Sequence, residues 1–252
     1  MSGHSKWASI KHKKGVADAK RGQLFTKLIR EITVAAREGG GNPDTNPRLR
    51  TAIERARGAN MPQDNIEKAI KKGTGELEGV NYETCTFEGY GPGGVALLIE
   101  ALTDNKNRTS AEIRNVFSKK GGNMAGAGSV GWIFQKKGYF FIDKTQASED
   151  EIYSISIDAG AEDVLIQEKN YEIICDPKDF EKIKEAFNAK GIKPQTAEIT
   201  LIPTSKVPVT EETAKELLAL IEALEEHEDV QKVYANFDIP DDILEKIATE
   251  IP

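Results

Sequence analysis

The residues best suited to chemistry in this 252-residue chain are cations gathered at its start. Within MSGHSKWASIKHKKGVADAKRG, Lys6, Lys11, Lys13, Lys14, Lys20 and Arg21 face the lone acid Asp18, and His4 and His12 lie among them. Trp7 adds a flat ring that can stack on a base or anchor the arm to protein. Lys27 and Arg30 follow, then Arg48, Arg50, Arg55 and Arg57. A guanidinium carries its donors in a planar fork that matches phosphate oxygens, so the chemistry open to this set is recognition of a polyanion. A solvated basic surface is the rival reading, because charge alone specifies no ligand.

The remainder of the chain has the opposite sign. Of 34 lysines and arginines and 41 acids in total, residues 1–72 hold 16 and 7, a net of +9. The other 180 residues hold 18 and 34, a net of −16, so the overall −7 averages two dissimilar parts. Such asymmetry joins a polyanion-binding part to an acidic one.

Signals for catalysis are thin. The glycines of GYGPGG (Gly89, Gly91, Gly94) and GAGSVG (Gly126, Gly128, Gly131) have the dinucleotide-loop spacing but not its strand–turn–helix context, so they read as turn or loop glycines. None of His4, His12 and His227 has a carboxylate, serine or cysteine at triad or zinc-site spacing. The acidic run EALEEHED reads as a solvated helical face and not as a metal cluster. No cofactor, metal or enzymatic activity is expected. Cys85 and Cys175 lie in separate strand-like runs, which suits buried free thiols in a reducing compartment. With no membrane-length apolar run and no signal-peptide pattern at the N-terminus, a cytoplasmic monomer with no membrane partner is expected.

One further segment could touch a partner. In KKGGNMAGAGSVGW, Lys119 and Lys120 can attract phosphate, while Gly121, Gly122, Gly126, Gly128 and Gly131, with two alanines among them, leave little bulk, so backbone amides can come close to a ligand; Asn123 and Ser129 complete the candidate contact loop. An ordinary flexible connector is the alternative.

The elements that must position these residues follow from periodicity. Phe25, Leu28, Ile29, Ile32 and Ala36 have helical spacing, and Gly39 to Gly41 end that run. Asn46 and Pro47 open a second helix with Leu49, Ala52, Ile53 and Ala56 inward; Pro62 opens a third that Gly73 should stop. Strands are expected in YETCTFEGYG and GVALLIEALTD, then a helix with Thr109 and Glu112 spaced as a capping box. Residues 129–135 and 139–143 read as two strands around Lys136, Lys137 and Gly138. Residues 139–202 read βαββαβ, with Ser148 and Glu151 as a second capping box, the order of a ferredoxin-like sandwich. The stretch at 82–135 lacks a covering helix, which TEETAKELLALIEALEEHEDV supplies, followed by the strand QKVYANFDIP. The expected class is therefore multidomain α+β with antiparallel sheets: a basic bundle at 1–78, a discontinuous α+β unit at 79–135 plus 205–252, and a ferredoxin-like unit inserted at 136–204.

The segment from GHSKWASIKHKK to ERARGANMP, together with IEKAIKKGTGE, EGYGPGG, TDNKNRT and VYANFDIP, resembles the YebC/PmpR family over essentially the whole chain. Asp18 is a small departure within the arm. The resemblance implies a three-domain, non-enzymatic protein. Family members are described as probable DNA-binding transcriptional regulators, and mitochondrial relatives as translational activators of cytochrome oxidase subunit I. The resemblance also implies ribosome binding and rescue of translation at proline-rich stretches. The start matches the family's own start, which favours a bacterial-type cytoplasmic member. No zinc finger or aromatic RNP motif is present to choose between DNA and rRNA or tRNA as target.

Overall fold

A computed structural model describes residues 18–250. The chain opens with helices α1 (Asp18–Gly39), α2 (Pro47–Gly58) and α3 (Gln63–Thr74). Next come β1 (Glu83–Tyr90), β2 (Ala96–Thr103), α4 (Lys106–Lys119) and β3 (Asn123–Ala125). A second set follows: β4 (Phe134–Asp143), α5 (Glu149–Ala159), β5 (Ala161–Ile166), β6 (Asn170–Cys175), α6 (Phe180–Ala189) and β7 (Thr196–Pro203). The chain then returns to the first set with β8 (Val207–Pro208), α7 (Glu211–Glu225), β9 (Val230–Ala235), β10 (Phe237–Asp238) and α8 (Asp241–Glu250).

The bundle forms where the apolar stripes meet. Leu28, Ile32, Ala35 and Ala36 of α1 pack on Leu49, Ala52, Ile53, Ala56, Ile66 and Ala69. Asn46 joins α1 to α2: its Oδ1 accepts the Leu49 amide at 3.1 Å, and its Nδ2 donates to the Ala35 and Gly40 carbonyls at 2.8 and 2.9 Å. Gly73 does not stop α3, which runs on to Thr74 before Gly75 at φ 84°. A Cβ at Gly73 would press on the Thr33 carbonyl oxygen and lie 2.7 Å from the Ala36 Cβ, so this glycine lets α3 approach α1.

The two sheets are interleaved in sequence. The first has the order β3-β1-β2-β9 with every neighbouring pair antiparallel, and its last strand comes from the end of the chain. Helix α7 supplies Leu217, Leu218, Leu220, Ile221 and Leu224 to the core that holds Phe87, Leu97 and Ile99. The second sheet, order β5-β6-β4-β7, is also antiparallel and contained wholly between residues 134 and 203. Its βαββαβ order and strand arrangement are ferredoxin-like, and it is inserted within the first. Ala96, Leu98, Val130, Ile133, Phe134 and Tyr234 pack together where the sheets meet, with Leu201 against them.

Three further local expectations need correction. Residues 134–143 form one strand, not two, because Gly138 is a packing glycine: a Cβ there would strike Cys175 Sγ and come 3.0 Å from Phe180. The segment ahead of it, Gly131–Ile133, is a 3-10 turn. The cap of α4 is Asn105, whose side chain accepts the Arg108 amide, while Thr109 lies buried inside the helix. Helix α8, the short strand β3 and the parallel pair β8–β10 go beyond what the periodicity suggests. Cys85 and Cys175 are buried and unbridged, and burial pushes the Cys175 thiol up to about 11.

Replacing Gly73 with alanine should lower thermal stability by about 1–3 kcal/mol through the clash with α1. Gly22→Ala, whose Cβ meets nothing within 4 Å, should instead stabilise α1 by up to about 1 kcal/mol. Equal effects from the two would remove the packing role of Gly73. We also propose unit boundaries near 79, 136 and 205. A chain cut after residue 203 should then lose the cooperative transition of the first sheet and keep that of the second, as followed by calorimetry. Retention of both transitions contradicts those boundaries.

Candidate nucleic-acid interface

The structure divides the basic residues into three groups. His4, Lys6, Trp7, Lys11, His12, Lys13 and Lys14 lie outside the described residues, as does the side chain of Lys20. Arg21 is exposed at the start of α1.

Lys27 and Arg30 belong to the second group and are not open to a ligand. The Lys27 Nζ donates to the Glu225 carbonyl at 2.5 Å. Arg30 is 9% exposed and donates to Asp229 Oδ1 at 2.5 Å and to the Glu228 carbonyl at 2.7 Å. Its guanidinium also lies 5.3 Å from the centre of the Tyr82 ring. With fully buried Val34 and with Arg37, whose guanidinium reaches the Tyr82 carbonyl, these residues make one stripe of α1. That stripe docks the bundle onto the first sheet's elements, which corrects the expectation that Lys27 and Arg30 meet nucleic acid.

The four arginines of α2 form the third group and split by face. Arg48 pairs with Glu38, and Arg55 with Glu31 at 2.7 Å, so both are partly neutralised by α1. Arg50 and Arg57, seven positions apart and so on one face, are exposed, and neither has an ion-pair partner among the described residues. Lys68, Lys71 and Lys72 of α3 are exposed as well.

Arg30 leads to a cluster that the sequence did not suggest. Asp229, within the run expected to be a solvated face, is 2% exposed. It accepts from Arg30, from Arg108 at 2.9 Å and from the Thr109 hydroxyl at 2.6 Å. Burial alone would raise its pKa, but the Thr109 and Arg108 hydrogen bonds and the two arginine charges outweigh it and hold it at about 2. His227 lies beside it, with Nε2 2.9 Å from Glu112 Oε2 and Nδ1 accepting the Asp229 amide at 3.1 Å. An open cleft of about 610 Å³ borders the cluster.

Glu112, His227 and Asp229 bring donor atoms within 4.8 Å of one another, as a divalent cation would need. Their chemistry fits a cation poorly. Two arginines already occupy the Asp229 carboxylate and would repel a metal, and the Nδ1 lone pair is engaged. The hydroxyl at this junction, Thr109, donates to Asp229 and is buried, so it is not presented as a nucleophile. The cluster is a latch between bundle and first sheet.

The glycine-rich segment is also organised from within. Glu88 on β1 is 8% exposed, and its carboxylate accepts the amides of Gly128 at 2.8 Å, Val130 at 2.6 Å and Gly131 at 2.9 Å. Burial would raise Glu88, yet these amides win and lower its pKa from the ordinary glutamate value. Amides expected to face a partner therefore serve an internal anion at Gly128. Lys119, Lys120, Gly121, Asn123 and Gly126 remain exposed, Gly122 and Ser129 half-buried. Just beyond, Trp132 is 72% exposed, and its Nε1 donates to the Ser129 carbonyl at 3.1 Å.

Two family models cover this architecture in order. Residues 5–76 match the TACO1/YebC protein N-terminal domain, and residues 82–237 match the TACO1/YebC second and third domain. The chain belongs to the TACO1/YebC family. It is 57% identical over 249 residues to a "Probable transcriptional regulatory protein" of Dictyoglomus turgidum, spanning 98% of this chain and 100% of that protein. A protein of the same description from Desulfosudis oleivorans is 56% identical over 243 residues, 96% of this chain and 99% of its own. The crystal structure of a conserved hypothetical protein from Aquifex aeolicus superposes with a TM-score of 0.78 at 51% identity, covering 89% of this chain and 93% of that one. Within this TACO1/YebC chain, no helix of the described residues is long and apolar enough to cross a membrane.

The latch gives a signed acid dependence. Because Asp229 is depressed in the folded state, its stabilisation is complete above the unfolded value of about 3.9 and is lost as pH falls toward about 2. At neutral pH, Asp229→Asn should lower stability by about 3–5 kcal/mol, since it strands the buried Arg30 charge. The gap between variant and parent should narrow by about 2 kcal/mol between pH 5 and pH 2 in denaturant titrations. A gap independent of pH would show that the Asp229 charge does not carry the latch.

Proposed function

We propose that this protein is a non-enzymatic regulator of gene expression that binds nucleic acid through its N-terminal 72 residues. The observation that carries the reading is the pair Arg50 and Arg57, exposed and without ion-pair partners among the described residues, in a segment of net +9. Unpaired guanidiniums on one helix face are available to successive phosphates, and the arm adds Lys6, Lys11, Lys13 and Lys14 ahead of α1. The regulatory names of its relatives agree with this reading. The acidic remainder of the chain, net −16, repels the backbone of a polyanion and so directs duplex binding toward the bundle side. In this reading the protein works in the cytoplasm, as a monomer and without a cofactor, and duplex DNA is its target.

A second reading makes it a ribosome-binding translation factor, contacting rRNA or tRNA, that relieves stalling at proline-rich stretches. The exposed ring of Trp132 favours it, because folded RNA presents unpaired bases and duplex DNA does not. Sequencing the nucleic acid crosslinked to the protein in cells separates the two: promoter fragments support the first, large-subunit rRNA or tRNA the second.

Binding in either case should be electrostatic. Reversing charge at Lys11, Lys13 and Lys14, or at Arg50 and Arg57, should weaken affinity across sequences. For every phosphate that the variant no longer neutralises, the plot of log affinity against log salt should flatten by about one unit. Reversal at Arg48 and Arg55 should act less on binding, since both already face acids of α1. Unchanged affinity and salt slope in the first two variants would refute the basic segment's role.

A further inference from the structure

We propose that Trp132 and Tyr90 form a platform on which an unpaired nucleic-acid base stacks. The inference rests on the nucleic-acid reading above and names a second binding surface and its chemistry. Trp132 is 72% exposed and Tyr90 38%. Tryptophan is highly buried on average, so a ring left largely in water forgoes a large apolar contribution to folding.

This ring is held in place nonetheless. Trp132 Nε1 and the Tyr90 hydroxyl donate to the same acceptor, the Ser129 carbonyl, at 3.1 and 3.2 Å. Ser129 is itself fixed: its Oγ donates to the Gly126 carbonyl at 2.7 Å, and the amides on either side of it, of Gly128 and Val130, are bound by Glu88. The loop thus anchors both rings by their polar edges, which leaves the Trp132 ring as the exposed surface. An aromatic side chain already ordered loses little entropy when a base stacks on it.

Charge selects the occupant. Lys119 and Lys120 are exposed at the end of α4, and Asn123, three residues on, pairs with Tyr90 across the sheet. Of the two acids on this strand, Glu83 lies at the end away from Tyr90, and Glu88 has its charge enclosed by backbone amides. The pairing of Asn123 with Tyr90 ties the strand bearing Tyr90 to the segment bearing these cations, and rings joined to cations in this way suit a base with its phosphate, as in single-strand binding sites. Bases of a duplex are stacked on one another, so the platform favours unpaired strands.

The protein has two tryptophans, so the full chain with Trp7→Phe leaves Trp132 as the fluorescent reporter. Titration with a short oligouridylate should quench its emission to saturation, and a duplex of equal length should not. In the otherwise unaltered chain, Trp132→Ala should bind the oligouridylate about 5- to 100-fold more weakly, the equivalent of one stacked base. Trp132→Phe should recover most of that loss, and duplex affinity should be the same in all three, with circular dichroism confirming the fold. Oligouridylate binding that is undiminished in Trp132→Ala, or that leaves the emission unchanged, overturns the platform while the basic segment's role stands, and it assigns the exposed ring to a protein partner instead. Failure of the full chain to bind either oligonucleotide defeats the nucleic-acid reading and the platform together.

Discussion

Asp229 is enclosed by two guanidiniums and a hydroxyl, with Arg30 arriving from a residue 199 positions earlier and Arg108 from 121 positions earlier. A carboxylate so placed is stable only with those partners, and they in turn are fixed only if three segments of the chain have already met. Helix α1 must be docked, α4 must be capped at Asn105, and the turn after α7 must have delivered Asp229 beside them. A buried ion pair of this kind adds little net stability over well-packed apolar residues. Its value lies in specificity: a bundle docked in another register would strand the Arg30 charge, a penalty that apolar packing alone would not impose.

Elements governed by neighbours in sequence are legible in advance. Asn46 and Ser148 cap the helices that their spacing predicts, because a cap is decided by residues three positions apart. The βαββαβ order of the inserted unit and the return of α7 and β9 to the first sheet also follow from hydrophobic period. What sequence misreads depends on distant partners. Gly73 and Gly138 look like terminators, yet each is small because another segment presses against it. Thr109 has the spacing of a cap, but it is buried against Asp229, 120 residues away. Lys27 and Arg30 share the composition of the arm, and no local pattern separates a docking cation from a ligand-binding one.

The same limit explains the candidate site. Sequence identifies all four arginines on α2 but cannot divide them, since the acids that neutralise Arg48 and Arg55 come from another helix. Glu88 carries no signal at all in sequence: it sits in a strand whose neighbours give no reason for a buried acid. Its identity as an anchor depends on three amides some 40 residues further on. Glycines in that segment do expose backbone donors, as their lack of bulk implies. The anion those donors bind at Gly128 and Gly131, however, belongs to the protein itself and not to a partner.

That internal anion changes what the loop can do. A nest of amides left open would bind any phosphate, whereas one closed by Glu88 has committed its donors to shape and presents only what projects from it. Because the carboxylate replaces an external ligand, the loop is formed before any partner arrives, with Ser129 already oriented to hold Tyr90 and Trp132. Preformed geometry reduces the ordering that binding requires. The latch at Asp229 extends that order outward, joining the bundle that carries Arg50 and Arg57 to the sheet on which Glu88 lies. The face proposed for phosphate recognition on the bundle and the rings presented by the loop are therefore two surfaces of one connected framework. Asp229 and Glu88, two buried acids of that framework, have their charges met from within, by guanidiniums at the first and by backbone amides at the second.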